Sequence, residues 1–257
     1  MRLGADALAA AVGEAVGAFG VNLVGVAPPA AYDALVPASH RLRGAPVASV
    51  LVLGNGGGAF WAAFREQVRR DPALAACPHP LDEFTRVVME QAALPAFARH
   101  GVTGVLRFPF DAADPPLSFV HLAEAAGLGR RSLLGVLVHP EFGPWMALRG
   151  ALLLDVVAAA PRPSDGFDPC PACVERPCVA ACPTAAVTPA GWDVDGCARY
   201  RVGGAARCDD ACHARVACVY GRGHRYPPDA SAYHQGRARG VMEAVDAARR
   251  ASGGIDG

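Results

Sequence analysis

The chain has 257 residues, of which 52% are hydrophobic and 19% are charged. Such a composition is typical of a globular protein that can bury one large core or two unequal ones. The 24 basic side chains are balanced by 24 acidic ones, which excludes the strong positive field that draws proteins to nucleic acids or anionic membranes. We therefore expect neither a nucleic acid nor a membrane as a partner.

The first 160 residues alternate between helical and strand-like patterns. Apolar residues at helical spacing predict helices at 5–19, 59–70, 82–99 and 117–126. Short apolar runs predict strands at 21–27, 47–53 and 102–108. Two further runs flank the turn-like segment HPEFGPW and are expected to pair with each other, at 133–138 and 146–157. This order of elements predicts an α+β fold with a mixed sheet and flanking helices.

The chain changes character near residue 160. The stretch PRPSDGFDP is proline-rich and polar, and beyond it regular periodicity disappears while Cys, Gly and Arg accumulate. We place a domain boundary there. The expected parts are an α+β domain at 1–160, a cysteine-rich module at 161–228 and a tail at 229–257 that holds a final helix near 236–251.

The amino terminus lacks the pattern of a signal peptide, because Asp6 and Glu14 interrupt its apolar stretch. No uncharged apolar run approaches the ~18 residues of a membrane span. We therefore expect a cytoplasmic protein, whose thiols stay reduced. The eight cysteines between Cys170 and Cys218 are then better explained as metal ligands than as disulfides. Cys77 stands apart, and burial as a small apolar side chain is its expected role.

The cysteines of the module form two groups. The first has the spacing C-x2-C-x4-C-x3-C-P and consists of Cys170, Cys173, Cys178 and Cys182. It is similar to the ligand string of bacterial ferredoxins, although its middle gap is four residues instead of two. An extra turn at Arg176-Pro177 would absorb that difference. The second group has wider and less regular gaps and consists of Cys197, Cys208, Cys212 and Cys218.

Two-cluster ferredoxins use the fourth cysteine of each string as a ligand of the other cluster. By that pattern, the eight cysteines are predicted to ligate one or two 4Fe-4S clusters. A structural zinc site built from the same thiolates is the alternative, but zinc gives no reason for the proline after Cys182. His213 and His224 lie in the same module and could each replace a thiolate.

Residues 123–155, AEAAGLGRRSLLGVLVHPEFGPWMALRGALLLD, precede the first cysteine string. This combination resembles epoxyqueuosine reductase, a cobalamin-dependent iron–sulfur enzyme. The AGLG motif is kept, whereas Arg130-Arg131-Ser132 stands where that family has an aromatic residue and a lysine. The resemblance implies an acid that protonates the leaving epoxide oxygen. Asp111 and Asp114 are the candidates, although Asp-Pro at this position also suits a plain turn.

The segment GVLVHPEFGPWMALRGALLL is also similar to cobalamin-processing proteins that decyanate or dealkylate cobalamins. The similarity is concentrated at His139, Phe142, Gly143 and Trp145, which become candidate corrinoid-binding residues. Both families imply a nitroreductase-like α+β fold that holds a corrinoid, and a flavin is the less favoured cofactor. The alternative is structural: Gly143 supplies a tight turn, and Phe142 and Trp145 fill the core.

The leading functional hypothesis is therefore an iron–sulfur oxidoreductase. Its clusters would pass single electrons to a corrinoid, or to a flavin, held by the N-terminal domain, because low-valent cobalamin requires a donor of strongly negative potential. The rival hypothesis is a non-catalytic, ferredoxin-like electron carrier that serves a redox partner protein and binds no organic cofactor.

Overall fold

The computed structural model describes residues 5–42, 47–112, 116–204 and 206–251. It divides into two compact units. The first comprises Met1–Arg130 and Met146–Phe167, and the second comprises Arg131–Trp145 and Asp168–Gly257. The segment Arg131–Trp145 precedes residue 160 in the sequence, yet it packs within the cysteine-rich unit.

The strands, in chain order, are β1 Leu23–Ala27, β2 Ser49–Gly56, β3 Gly104–Arg107, β4 Arg130–Arg131, β5 Leu137–Val138, β6 Met146–Leu154, β7 Val187–Thr188 and β8 Gly191–Trp192. The helices are α1 Ala5–Gly17, α2 Pro29–Asp33, α3 Ala59–Arg70, α4 Pro72–Ala76, α5 Pro80–Val88, α6 Leu94–Ala98, α7 Phe119–Ala125, α8 Pro169–Ala172, α9 Pro177–Ala181, α10 Val194–Val202, α11 His213–Ala217 and α12 Pro228–Ala251. Short 3-10 turns lie at Ala38–His40, Ala206–Cys208 and Arg222–His224.

The core of the first unit is a four-stranded sheet of order β1-β2-β6-β3. All eight residues of β2 are buried, so helices and loops cover both faces of the sheet at its centre. The predicted α+β class is confirmed. The predicted mixed sheet is wrong, because all three strand pairings are antiparallel. An apolar run shows that a strand is buried, but its direction depends on where the connections return the chain.

The expected pairing of 133–138 with 146–157 is also wrong. Only Leu137–Val138 of the first run is a strand, and it pairs with β4 in a small sheet of its own. The run is interrupted because Gly135 has a φ of +72° and its N–H donates to the carbonyl of Ser132, which closes a turn. Strand β6 instead pairs with β2 and β3.

The predicted helices of the first unit are confirmed, with one irregularity. The stretch expected at 82–99 is α5, a π-helical turn at Met89–Ala93, and then α6. Pro95 lies at the start of α6, where it has no N–H to donate into a regular α-helical ladder. The C-terminal helix α12 is longer than expected and begins at Pro228, a residue that favours the first turn of a helix. None of the helices in the described ranges is both long and apolar enough to cross a membrane.

A buried polar contact ties the sheet of the first unit to α3. The guanidinium of Arg149, on β6, is 8% exposed, and its Nε donates to Oδ1 of Asn55 on β2 at 2.6 Å. The same guanidinium lies 4.1 Å from the ring centroid of Phe60, on α3. A buried charge is tolerated here because a hydrogen-bond acceptor and an aromatic face both compensate it.

Substituting Arg149→Met should therefore lower the free energy of unfolding by about 2 kcal/mol, because the amide oxygen of Asn55 loses its donor inside the core. The measurement is urea denaturation of the wild type and the variant. The matched control is Arg107→Met, in the exposed strand β3 of the same sheet, which should change stability by no more than about 0.5 kcal/mol. Equal effects of the two substitutions would contradict the role given to the buried contact.

Candidate metal centres

Four thiols line one pocket of the second unit. They belong to Cys170, Cys173, Cys178 and Cys218. Cys170 lies in α8 and Cys173 follows it, Cys178 lies in the first turn of α9, and Cys218 directly follows α11. The backbone N–H of Leu133 donates to Sγ of Cys170 at 3.4 Å. We call this group of four cysteines the first centre.

The other four cysteines of the module line a second pocket. They are Cys182, Cys197, Cys208 and Cys212. Cys182 follows α9, Cys197 lies in α10, Cys208 ends the 3-10 turn Ala206–Cys208, and Cys212 directly precedes α11. We call this group the second centre. Each centre thus takes three cysteines from one sequence group and one from the other, and the exchanged residues are Cys182 and Cys218.

The electrostatics of the thiols follow the same division. Burial raises the pKa of Cys178 and of Cys218, and the thiols of Cys170 and Cys173 raise both further. Burial likewise raises the pKa of Cys197 and Cys208, and Cys182 and Cys212 add to it. Thiolates crowded in this way repel one another, so a bound cationic metal group would stabilise them and lower their pKa values.

The eight thiols, four to each pocket, limit which metal groups the two centres can hold. Within the part of the chain that the structure describes, no three or more His, Cys, Asp or Glu side chains are arranged to hold a single metal ion. Four thiols per pocket nevertheless match, in type and number, the soft ligands of a 4Fe-4S cluster or of a four-thiolate zinc site. The residues present therefore fit these groups by donor chemistry.

The backbone explains how the unusual first string brings its cysteines together. Arg176 has a φ of +42°, in the left-handed region, and acts as the N-cap of α9, with Pro177 at its first position. This extra turn accommodates the four-residue gap before Cys178. At the other end of α9, Cys182 is extended, as a residue before proline must be, and Pro183 prevents the helix from continuing.

The HPEFGPW segment lies in the second unit, where His139 closes its turn. The imidazole of His139 is 4% exposed, and its Nδ1 accepts the N–H groups of Glu141 at 3.0 Å and Phe142 at 3.2 Å. Burial lowers the pKa of His139, which favours the neutral ring that this acceptor role requires. The side chain of Phe142 remains half-buried and contacts the ring of His224 edge-on at 4.7 Å.

Gly143 and Trp145 hold the same segment against the residues that follow Cys218. Gly143 has a φ of +58°, and a Cβ built on it would lie 2.2 Å from the carbonyl oxygen of Tyr220. The ring of Trp145 is 3% exposed and packs edge-on against Tyr226 at 5.6 Å. Arg215 stacks 4.9 Å from the centroid of each of these rings and donates to the carbonyl of Pro144. The four candidate corrinoid-binding residues thus pack within the cysteine-rich unit.

The remaining sequence candidates are more dispersed. Asp111 uses its carboxylate to accept the N–H of Phe108 at 2.8 Å, which closes a turn, and Asp114 lies outside the described residues. Cys77, expected to be buried, is half-buried after α4 in the first unit. His213 lines the second pocket, where its Nε2 is hydrogen-bonded to the carbonyl of Arg207.

Two side chains at the second centre have no sequence signal that would have identified them. Arg201, on α10, is buried and lines the second pocket. Trp192, on β8, forms a side-chain hydrogen bond that opposes the raised pKa of Cys197, and its ring lies over Gly135. An arginine among many and a tryptophan in an irregular stretch are ordinary in sequence, so only the fold reveals their position.

No family model matches the sequence, and no curated protein matches it. Solved structures do match the fold. The B12-trafficking protein CblC of C. elegans is 12% identical, with a TM-score of 0.60, and the match covers 93% of this chain and 94% of that one. An epoxyqueuosine reductase is 15% identical, with a TM-score of 0.51 and coverage of 86% and 69%. The catabolic reductive dehalogenase NpRdhA is 17% identical, with a TM-score of 0.53, and the match covers 98% of this chain but 37% of the dehalogenase.

These identities show a common fold and no more. The two families that the sequence resembles are both among the structural neighbours, so the resemblance is confirmed at the level of the fold. The chain is thus an α+β protein of the architecture shared by epoxyqueuosine reductase and a B12-trafficking protein, with eight cysteines gathered in two pockets of its second unit.

The close approach of Gly143 to Tyr220 generates a prediction. Gly143→Ala should destabilise the second unit by more than the ~1–2 kcal/mol that a positive φ costs a non-glycine residue, because the added methyl group would overlap the backbone at Tyr220. Chemical denaturation of both variants measures the difference. The control is Gly204→Ala, where φ is +83° but nothing lies within 4 Å of the built Cβ. If Gly143→Ala cost no more than this control, the contact would not hold the segment in place.

Proposed function

We propose that the chain is an iron–sulfur oxidoreductase whose second unit holds two 4Fe-4S clusters. One observation carries the proposal: the eight cysteines lie in two groups of four, and each group takes its fourth thiol from the other sequence string. This exchange is the ligand pattern of two-cluster ferredoxins. It was expected from the sequence only by analogy, since the second string departs from the ferredoxin spacing.

Two short helices support the exchange. Helix α9 runs from Cys178 of the first centre to Cys182 of the second, and α11 runs between Cys212 of the second centre and Cys218 of the first. Val179 and Ala214, one on each helix, belong to one small apolar cluster with Leu134. Because α9 separates its two cysteines by only about one helical turn, clusters bound at the two centres would be close neighbours. Bound there, the clusters would supply one-electron transfer.

For the acceptor we propose a corrinoid bound at the signature around His139, which packs within the second unit, and we assign the first unit to the nitroreductase-like α+β class. The support is the fold common to this chain and the B12-trafficking protein CblC, together with the signature around His139. Among the four candidate residues, Phe142 is the one that is only half-buried and keeps surface for a ligand, while His139, Gly143 and Trp145 hold the turn and the core. A flavin is the less favoured acceptor.

One observation favours the second candidate, a ferredoxin-like carrier that passes electrons to a redox partner protein. Three of the four residues that suggested a corrinoid are fully engaged in packing the cysteine-rich unit. A protein that needs only its clusters would keep these residues for that structural reason alone. Corrinoid binding therefore separates the two functions, and cluster content tests what they share.

The ligand exchange predicts an unusual result for Cys182→Ala. Protein purified without oxygen should contain about eight irons per chain, as two 4Fe-4S clusters require. Cys182→Ala should perturb the same cluster as Cys208→Ala, although Cys182 follows the first string. Likewise, Cys218→Ala should perturb the same cluster as Cys173→Ala. Iron and sulfide analysis, with electron paramagnetic resonance spectra of the reduced proteins, measures which cluster is lost.

The matched control is Cys77→Ala, which removes a thiol from the first unit and should leave both clusters intact. Spectra that grouped Cys182 with Cys173 would refute the exchange. Zinc without sulfide would show that the two centres are structural zinc sites.

The corrinoid acceptor is tested by titrating the anaerobic protein with cobalamin and following the visible spectrum. We expect a saturable spectral change at one site per chain. Phe142→Ala should weaken binding by about tenfold, as the loss of an aromatic contact of about 1.4 kcal/mol would do. Phe110→Ala, a phenylalanine of the first unit outside the signature, is the control. Full clusters without any spectral change would favour the electron carrier instead.

A further inference from the structure

One guanidinium beside the second centre is buried without a carboxylate. Arg201 lies on α10 and is 6% exposed. Its Nη2 donates to the backbone carbonyl of Gln235, on α12, at 2.7 Å, but its Nε has no hydrogen-bond partner. Across residues 5–42, 47–112, 116–204 and 206–251, no Asp or Glu forms an ion pair with Arg201.

A buried charge in this condition is expensive, at about several kcal/mol even after relaxation. A hydrogen bond to one carbonyl compensates only part of that cost, so a negative charge nearby would stabilise the arrangement. Arg201 lines the pocket together with the four thiols of the second centre.

The other cations at the two pockets are placed differently. Arg215 also lines the second pocket, but its guanidinium is committed to the carbonyl of Pro144 and to the rings of Trp145 and Tyr226. His213 is exposed and hydrogen-bonded to Arg207. At the first pocket, Arg176 is only half-buried, so solvent screens its charge. Of these cations, Arg201 is therefore the one that is buried, and it lines the pocket of the second centre.

We propose that Arg201 is a positioning residue that holds the reduction potential of the second centre above that of the first, so that the first electron to enter resides at the second centre. The inference rests on the proposed iron–sulfur function. A cluster with four thiolate ligands and sulfide carries net negative charge, and reduction by one electron from an external low-potential donor makes it more negative. A fixed cation in a region of low dielectric stabilises the reduced form more than the oxidised form.

The test is an anaerobic potentiometric titration of the cluster-loaded full-length protein, followed by electron paramagnetic resonance. The wild type should show two separate midpoint potentials. In Arg201→Met, the ratio of reduced to oxidised second centre at a given potential should fall about tenfold, which is about 59 mV for a one-electron couple. The first centre should be unchanged. Arg201→Lys retains the positive charge and should restore most of the shift.

The matched control is Arg199→Met, which removes the same charge from an exposed position on the same helix. It should shift neither potential measurably, because an exposed charge is screened. If Arg201 only tied α10 to α12, its substitution would lower thermal stability but leave the reduction potential of the second centre unchanged. Loaded Arg201→Met with an unshifted second centre would therefore overturn the inference.

Iron and sulfide are measured first, because their absence from the wild type would overturn the proposed function itself, whereas loaded clusters with an unshifted potential overturn only the role of Arg201. Should Arg201→Met fail to load, Arg201→Gln provides a second neutral variant. A separate test uses Cys173→Ala, which should disrupt the first centre and leave the second centre intact. Its potential must equal the higher of the two wild-type values, and the lower value would contradict the proposal.

Discussion

The structure of the cysteine-rich unit depends on the packing of two very short helices. Helices α9 and α11 have five residues each, too few to be stable alone. They are held by a small apolar cluster around Leu134, Val187 and Ala214, into which cysteines of both centres pack. Since each helix has a cysteine of one centre at one end and of the other centre at the opposite end, the same contact builds both pockets. Loss of this packing would therefore move the thiols apart in both centres at the same time.

The HPEFGPW segment also helps to hold the second unit together. In the sequence, this segment lies between β5 and β6. In the structure, it packs against residues 215–226 of the second unit. The mutual approach of Gly143 and Gly221, each with a positive φ, allows two backbones to touch. His139 secures the turn by accepting two backbone N–H groups. A motif that suggests a cofactor from its similarity to other families is thus also part of the framework that places Cys218.

Each centre has four cysteine thiols as donors, but the side chains around the two centres differ. The first is lined by apolar side chains and by a half-buried arginine, and the second has the buried guanidinium of Arg201. Chemically equal ligands therefore lie in unequal electrostatic environments, and the potential of an iron–sulfur cluster responds to charge, hydrogen bonding and burial around it. This difference in surroundings is the basis of the proposed order in which the two centres are reduced.

The sequence by itself determined the α+β class, most helices of the first unit and the two groups of cysteines, because apolar periodicity and ligand spacing are local properties of the chain. It did not determine the antiparallel direction of β6, the turn at Gly135 or the membership of residues 131–145 in the second unit. Strand direction and unit membership depend on contacts between distant residues, which no local pattern contains. The exchange of Cys182 and Cys218 could be anticipated by analogy, but the position of Arg201 beside the second centre could not. Only the tertiary structure decided it, because α10 and α12 must pack together before that charge is buried in the lining of the second pocket.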